Sequence, residues 1–300
     1  MKNCILGMDV GGTHIRIGLV NDQEKAEHVE VFPSKNVWAS DNAVKGLANL
    51  IKAYLNKYKD ECIVHIITIG FPSLVDRTRT KLLSSTNFPG LDEVNIVASL
   101  EESLSVKVYI DHDAYYLLAY DIADHGLKNE GTMAGFYFGT GLGNAVFING
   151  FPYYGKNGAA CELGHIPIPF NHFPCSCGNE GCIEMFSCGK ALERIWKKRF
   201  SNEKVGDIFK KYGTSEELLT FVEYISCAVA SEVNILDPDV IFLGGGIIQM
   251  EGFPRHRLVE RIVAHCRKPY PANCLDVRFQ RPGAENGIIG GSICVKAQSK

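Results

Sequence analysis

Twice in this 300-residue chain an apolar run of strand length feeds a glycine turn and emerges as a second apolar run. Residues 4–10 (CILGMDV) reach Gly11-Gly12-Thr13. Residues 15–20 (IRIGLV) follow, with Ile15, Ile17 and Leu19 alternating against Arg16 and Gly18. A period of two marks a half-buried strand, so the pair reads as a hairpin. At mid-chain, residues 134–138 and 145–148 flank Gly139-Thr140-Gly141-Leu142-Gly143 in the same way. This weak duplication predicts two α/β domains of related plan, with a boundary near residue 112. The first is expected over 1–112, completed by a C-terminal helix at 288–300. The second is expected over 113–287.

Other elements follow from periodicity. Val44, Leu47, Leu50, Ile51, Tyr54, Leu55 and Tyr58 recur at helical spacing and predict a helix over 43–58. Further helices are expected over 94–104, 114–123 and 254–267, and strands over 63–69, 106–110 and 240–243. Thr214-Ser215-Glu216-Glu217 matches a capping box opening a helix over 215–236, which Asp237-Pro238 ends. Residues 150–190 are rich in Gly, Pro, Cys and His with weak periodicity. A long irregular segment inside a compact domain is usually functional.

Composition excludes several classes. Hydrophobic residues make up 46% and charged residues 22%, so disorder is not a dominant theme. A formal net charge of -3 gives no basic field to recruit nucleic acid or an anionic membrane. No apolar run approaches the ~18–20 residues of a membrane span. Met1-Lys2-Asn3-Cys4 leads directly into an apolar strand, without a secretory leader, so a cytoplasmic location is expected. There the eleven cysteines would be reduced. Cys4, Cys62, Cys227 and Cys294 sit in apolar stretches as small buried residues.

Glycine turns after strands let backbone N–H groups approach phosphate oxygens without an intervening Cβ. Three occur, at Gly11–Thr13, Gly139–Gly143 and Gly244–Gly246, and together they suit a nucleotide bound between two domains. Neither a Walker P-loop nor a G-x-G-x-x-G opening a helix is present. Asp9, at a strand end, either caps the following turn or serves a metal or phosphate site. Asp113 is either a helix N-cap or a general base for a substrate hydroxyl. Cys175, Cys177 and Cys182, with His165 upstream, form a Cys3His set that suits tetrahedral zinc; free buried thiols or a redox pair compete with it.

These residues give the chain a resemblance to the ROK family of sugar kinases and repressors over essentially its whole length. Asp9-Val10-Gly11-Gly12-Thr13 resembles the family's D-x-G-G-T phosphate motif, and Gly139-Thr140-Gly141-Leu142-Gly143 its second phosphate loop. Ser85-Thr86-Asn87-Phe88-Pro89-Gly90 resembles the segment whose Asn contacts sugar. Asp111-His112-Asp113-Ala114 resembles E-N-D-A, whose Asp is the base. Glu162-Leu163-Gly164-His165 resembles E-x-G-H, and the run from Cys175 to Glu184 resembles C-x-C-G-x-x-G-C-x-E. The resemblance implies a two-domain actin-like, ribonuclease H-like ATPase fold with the ligand cleft between domains.

It also implies roles. Asp113 would be the base. Asp9, Gly11, Gly12, Thr13, Gly139, Thr140, Gly141, Gly245 and Gly246 would hold ATP with Mg2+. Asn87, His112, Asp113, Glu162, His165 and Glu184 would hold the sugar. His165, Cys175, Cys177 and Cys182 would bind a structural zinc. Gly245, Gly246 and the C-terminal glycine segment, Gly283–Gly291, would line the adenosine side. The implied reaction is ATP-dependent phosphorylation of a hexose 6-hydroxyl. Several runs, among them Gly70–Val75 and Asn234–Asp239, look like the D-allose kinases of the family; glucose, fructose, N-acetylglucosamine and N-acetylmannosamine are the alternatives. A sugar-responsive regulator is the rival class, but such members carry an N-terminal helix-turn-helix for which residues 1–8 leave no room. A homodimer is the family default, with neither nucleic acid nor membrane as partner. Two residues depart from the pattern. His112 replaces the Asn before the base, and Cys161 replaces a glycine, for which a local backbone adjustment is expected.

Overall fold

The computed structural model describes residues 1–298 apart from 39–41, 85–87 and 89. In chain order its elements are β1 (Lys2–Val10), β2 (His14–Val20), β3 (Ala26–Pro33), α1 (Lys35–Trp38), α2 (Ala43–Lys57), β4 (Cys62–Phe71), β5 (Leu74–Val75), β6 (Leu82–Ser84), α3 (Ile96–Leu104), β7 (Lys107–His112) and α4 (Asp113–Asp124). They continue with β8 (Thr132–Phe138), β9 (Leu142–Ile148), β10 (Phe151–Pro152), α5 (Glu184–Ser187), α6 (Gly189–Arg199), α7 (Ile208–Tyr212), α8 (Glu216–Leu236), β11 (Val240–Gly244), α9 (Arg255–His265), β12 (Asp276–Phe279) and α10 (Asn286–Gln298).

The chain divides into two compact units. One comprises 1–128, 154–160 and 283–300; the other comprises 129–153 and 161–282. Residues 113–128, expected in the second domain, therefore belong to the first unit, as does the short return segment 154–160.

The first unit is built on a five-stranded sheet in the order β3-β2-β1-β4-β7. The hairpin partners run antiparallel, with Asp9 opposite Arg16. β4 and β7 join parallel to β1, which brings Asp9, Gly70 and Asp111 level at one edge. Leu6, Met8, Ile15, Ile17, Ile67 and Ile69 form the core against Leu47, Ile51 and Leu100 of α2 and α3. Asn42 starts α2 by accepting the Lys45 N–H at 2.9 Å. α10 packs on α4 and β1 through its glycines. A Cβ on Gly290 would stand 1.8 Å from the Tyr116 carbonyl oxygen, and one on Gly291 would stand 2.6 Å from Thr68 Oγ1. Gly290 and Gly291 are therefore packing residues of the first unit.

The second unit repeats the plan with the order β10-β9-β8-β11-β12. β8, β9 and β10 are antiparallel; β11 and β12 run parallel to β8. β8 is buried along nearly its whole length, as a strand covered on both faces must be. α8 is long and apolar enough to cross a membrane by length and composition. It is a core helix: Leu218, Phe221, Val222, Ile225, Val229 and Val233 are buried against Phe136, Phe138, Ile241 and Leu243. The expected capping box does not close. Ser215, not Thr214, is the N-cap, and its side chain makes no cap bond. Within 150–190 only β10, a 3-10 turn at Leu163–His165, α5 and the start of α6 are regular, so the expected irregular stretch is largely borne out.

Candidate functional site

In the first unit the candidate residues gather at the carboxyl edge of the parallel strands. Asp9 ends β1 and receives Arg16 Nη1 at 3.0 Å across the hairpin. Its side chain keeps 20% exposure. Burial, and next the charge of Asp113, push its carboxyl from 3.8 up to about 6, against the pull of Arg16. Asp9 thus does not cap the turn. The turn closes on itself instead: Gly11 N–H donates to the His14 carbonyl at 2.8 Å, and Ser34 Oγ donates to the Gly11 carbonyl at 2.6 Å. Gly12 and Thr13 are exposed.

Asp113 opens α4, but the cap is His112, whose Nδ1 accepts the Ala114 N–H at 3.2 Å and lies 3.3 Å from Asp113 Oδ1. Asp113 is 24% exposed. Burial pushes its carboxyl up to about 6, although the Ala114 N–H pulls the other way. A carboxylate near pH 6 is a competent base for a hydroxyl proton. Gly70 gives it room: a Cβ there would stand 3.2 Å from the Asp113 Cα.

Below this pair lies a network the sequence did not reveal. Asp111 accepts the Tyr154 hydroxyl at 2.6 Å and its neighbour's N–H (His112) at 2.8 Å. Arg79 Nε stands 3.6 Å from Asp111 Oδ1, and its guanidinium stacks 3.5 Å from the Tyr154 ring centre. Asp111 was legible as part of the acidic run. Arg79 and Tyr154 carried no local signal.

In the second unit, β8 and β11 end side by side, so the loop Gly139–Gly143 and the pair Gly245-Gly246 share one edge. Gly245 takes φ +92°, and a Cβ on it would collide with the Phe138 backbone at 2.5 Å. Thr140 is exposed. Glu184 Oε2 accepts the Leu142 N–H at 2.9 Å, and a Cβ on Gly141 would stand 2.6 Å from that same oxygen. The carboxylate therefore braces the glycine loop with at least one oxygen.

His165 Nδ1 faces Cys175 Sγ at 3.6 Å, and Cys177 Sγ faces Cys182 Sγ at 3.7 Å. All four donor atoms lie within 4.8 Å of one another. Donors sharing one tetrahedral zinc stand roughly 3.5–3.8 Å apart, from bond lengths of about 2.0–2.3 Å. The donor set and its spacing therefore fit zinc. The other ring nitrogen, Nε2, faces Glu162 Oε2 at 3.5 Å. A ligating histidine with a carboxylate on its far side is the usual way to fix ring and tautomer. Cys161 keeps φ +67°. The cysteine occupies the left-handed region that a glycine favours. Asn87 lies outside the described residues.

Two mixed sheets of one plan, each presenting glycine turns at its carboxyl edge, define an actin-like ATPase architecture. Comparison with known proteins agrees: the ROK family model matches residues 5–298, and the chain belongs to the ROK family. An N-acetyl-D-glucosamine kinase of Photobacterium profundum is 29% identical over 276 residues, 86% of this chain and 89% of that protein. A glucokinase of Thermotoga maritima is 23% identical, covering 97% of each chain. The crystal structure of a ROK hexokinase from Thermus thermophilus superposes with a TM-score of 0.77 at 25% identity, covering 99% of this chain and all of that one.

Proposed function

We propose that this chain phosphorylates the 6-hydroxyl of a free hexose with ATP. The observation that carries the reading is Asp113, a half-buried carboxyl held near pH 6 at the N-terminus of α4, beside the Gly11–Thr13 turn's own strand edge. Asp113 accepts the hydroxyl proton as O6 attacks the γ-phosphorus in line. The phosphorus–oxygen bond to ADP breaks, and ADP leaves with the bonding pair. Backbone N–H groups of Gly12, Thr13, Thr140 and Gly141 hold phosphate oxygens; Gly11 and Gly139 spend theirs closing their turns, on the His14 and Gly141 carbonyls, and Gly245 and Gly246 lie along the nucleotide. Asp9 would serve the Mg2+ that accompanies ATP, and the ion would neutralise charge on the phosphates. Asn87, His112, Glu162, His165 and Glu184 hold the sugar. Catalysis of this kind is mostly positioning and electrostatics. Zinc on His165, Cys175, Cys177 and Cys182 supplies order to a segment with little apolar content.

For the sugar, the names of the relatives favour N-acetyl-D-glucosamine, with glucose next. The D-allose reading rests on sequence runs and on one departure: His112 stands where the family has an asparagine, and its Nδ1 caps α4. That favours a hexose whose ring hydroxyls differ from those of glucose. A coupled ADP-release assay with ATP and Mg2+ over N-acetylglucosamine, glucose, N-acetylmannosamine, fructose and allose decides it. N-acetylglucosamine is expected to give the highest kcat/KM. Allose leading would transfer the assignment to the His112 reading. No turnover with any hexose would overturn the kinase reading itself.

A further inference from the structure

A second set of donor atoms converges in the second unit, on α8 and α9. Glu223 and Cys227 stand one turn apart on α8, and His265 ends α9. His265 Nε2 lies 2.7 Å from Glu223 Oε1 and 3.6 Å from Cys227 Sγ. The three donor atoms all fall within 4.8 Å of one another, and each residue is half-buried.

The chemistry discriminates between uses of such a trio. In a nucleophilic triad the histidine relays a proton, with one ring nitrogen toward the thiol and the other toward the carboxylate. Here the same Nε2 faces both, so no proton can pass through the ring from Cys227 to Glu223. Three donors aimed at a common point are instead the arrangement of a metal site. The sulfur–nitrogen distance of 3.6 Å is already that of two ligands on one tetrahedral zinc. The nitrogen–oxygen distance must open by roughly half an ångström, as expected when a hydrogen bond gives way to a shared ion.

Arg261 holds the place meanwhile. Its Nε and Nη2 donate to Glu223 at 2.7 and 2.6 Å, and Nη2 lies 3.4 Å from His265 Nε2. The guanidinium neutralises the Glu223 carboxylate through both bonds. Arg261 is itself 37% exposed and borders a surface cavity of about 420 Å³ lined also by Thr214, Thr220 and Arg257. The side chain can leave, and an ion can enter, by that cavity.

We propose that Glu223, Cys227 and His265 form a second metal site for a borderline-soft divalent ion such as Zn2+, exchanging with the Arg261 guanidinium. A thiolate and an imidazole exclude Mg2+ and Ca2+ as natural occupants. On entry the ion displaces the Cys227 thiol proton to solvent, and the fourth position is left to water. The bound ion would clamp α8 to α9.

The test is metal stoichiometry on the full chain. Zinc content after dialysis against micromolar free Zn2+ is expected to be two per chain, one at the Cys3His set. Cys227→Ser and His265→Ala should each reduce it to one; the retained ion shows that these variants are folded. Arg261→Gln, which removes a positive charge a few ångströms from the ion, should tighten the second site at least about tenfold. With Co2+, the second equivalent should add a thiolate charge-transfer band that Cys227→Ser abolishes. One ion per chain in the wild type overturns the proposal, even if Arg261→Gln takes a second, since Arg261 is then the permanent occupant. A second ion that survives Cys227→Ser overturns it as well.

Discussion

Asp113 shows how much one carboxyl's surroundings decide. Its neighbours are a helix N-terminus, which favours the ionised form, and a half-buried strand edge, which opposes it. Burial wins, and the value rises from 3.8 to about 6. A base must be deprotonated to act, so kcat/KM should fall at least about tenfold per unit as pH drops below about 6 and level off above it. A pH–rate profile flat down to pH 5 would remove Asp113 as the base. Asp113→Asn should lower kcat by about 10²–10⁴ while calorimetry still finds sugar binding within a few-fold. Near-normal turnover would remove it too. Cys161 gives a second test at this scale. A β-carbon in the left-handed region costs on the order of 1 kcal/mol, of which glycine regains part after its own entropy loss. Cys161→Gly should therefore raise the melting temperature slightly and leave turnover unchanged; a lower melting temperature would mean that the Cys161 contacts outweigh the strain. Asp9, Asp113 and the cysteine cluster were legible because residue type and spacing are local properties. Arg79 and Tyr154 were not, because what joins them to Asp111 is a meeting of segments distant in the chain.

Among elements, those with a clean period were read correctly. The hairpins, α2 and α8 all fall within a few residues of expectation. Short elements were missed. β12 and β10 have four and two residues, too few to show a period. β3 did carry a signal, with Val29 and Val31 alternating against His28 and Glu30, yet its half-exposed faces kept the contrast low. The segment after Glu162 is ordered by another means. Cys175, Cys182 and Met185 are buried at the metal cluster, while Leu163 and Ile183, the neighbours of Glu162 and Glu184, are buried in the core of the second unit. Glu162 and Glu184 are therefore held from two sides, by the ligand cluster and by the core. Cys177→Ser should lose the ion, lower the melting temperature and raise KM for the sugar about 10–100-fold, more than it lowers kcat. Zinc analysis with steady-state kinetics checks this. An unchanged KM in zinc-free protein would separate the metal from sugar binding.

At the scale of the whole molecule the two units share one plan: three antiparallel strands continued by two parallel ones, with glycine turns at the carboxyl edge. The sequence showed this only as a repeated glycine turn, because the strands that complete each sheet differ in length and spacing. A common feature of the two units sets the pH dependence of folding. Each holds carboxyls that burial raises: Asp111 and the half-buried Asp9 and Asp113 in the first, Glu232 in the second. Glu232 is the simplest to test, since it lies outside the proposed chemistry. It is 8% exposed on α8 and accepts the Asn144 amide of β9 at 3.1 Å, and burial pushes it from 4.5 up to about 7. A raised folded value means that the folded chain binds this proton more tightly than the unfolded chain does. Its contribution is then fully present below about pH 4.5 and is lost as pH rises through about 7. Glu232→Gln keeps the acceptor for Asn144 and cannot ionise. The variant should match the wild type at pH 4.5 and gain on it across the interval to pH 7, reaching up to about 3 kcal/mol above that. Denaturant unfolding of both proteins at a series of pH values, with zinc buffered, measures the difference directly. A difference that stays constant with pH would show that Glu232 is ionised in the folded chain at no cost, and that the burial argument fails there.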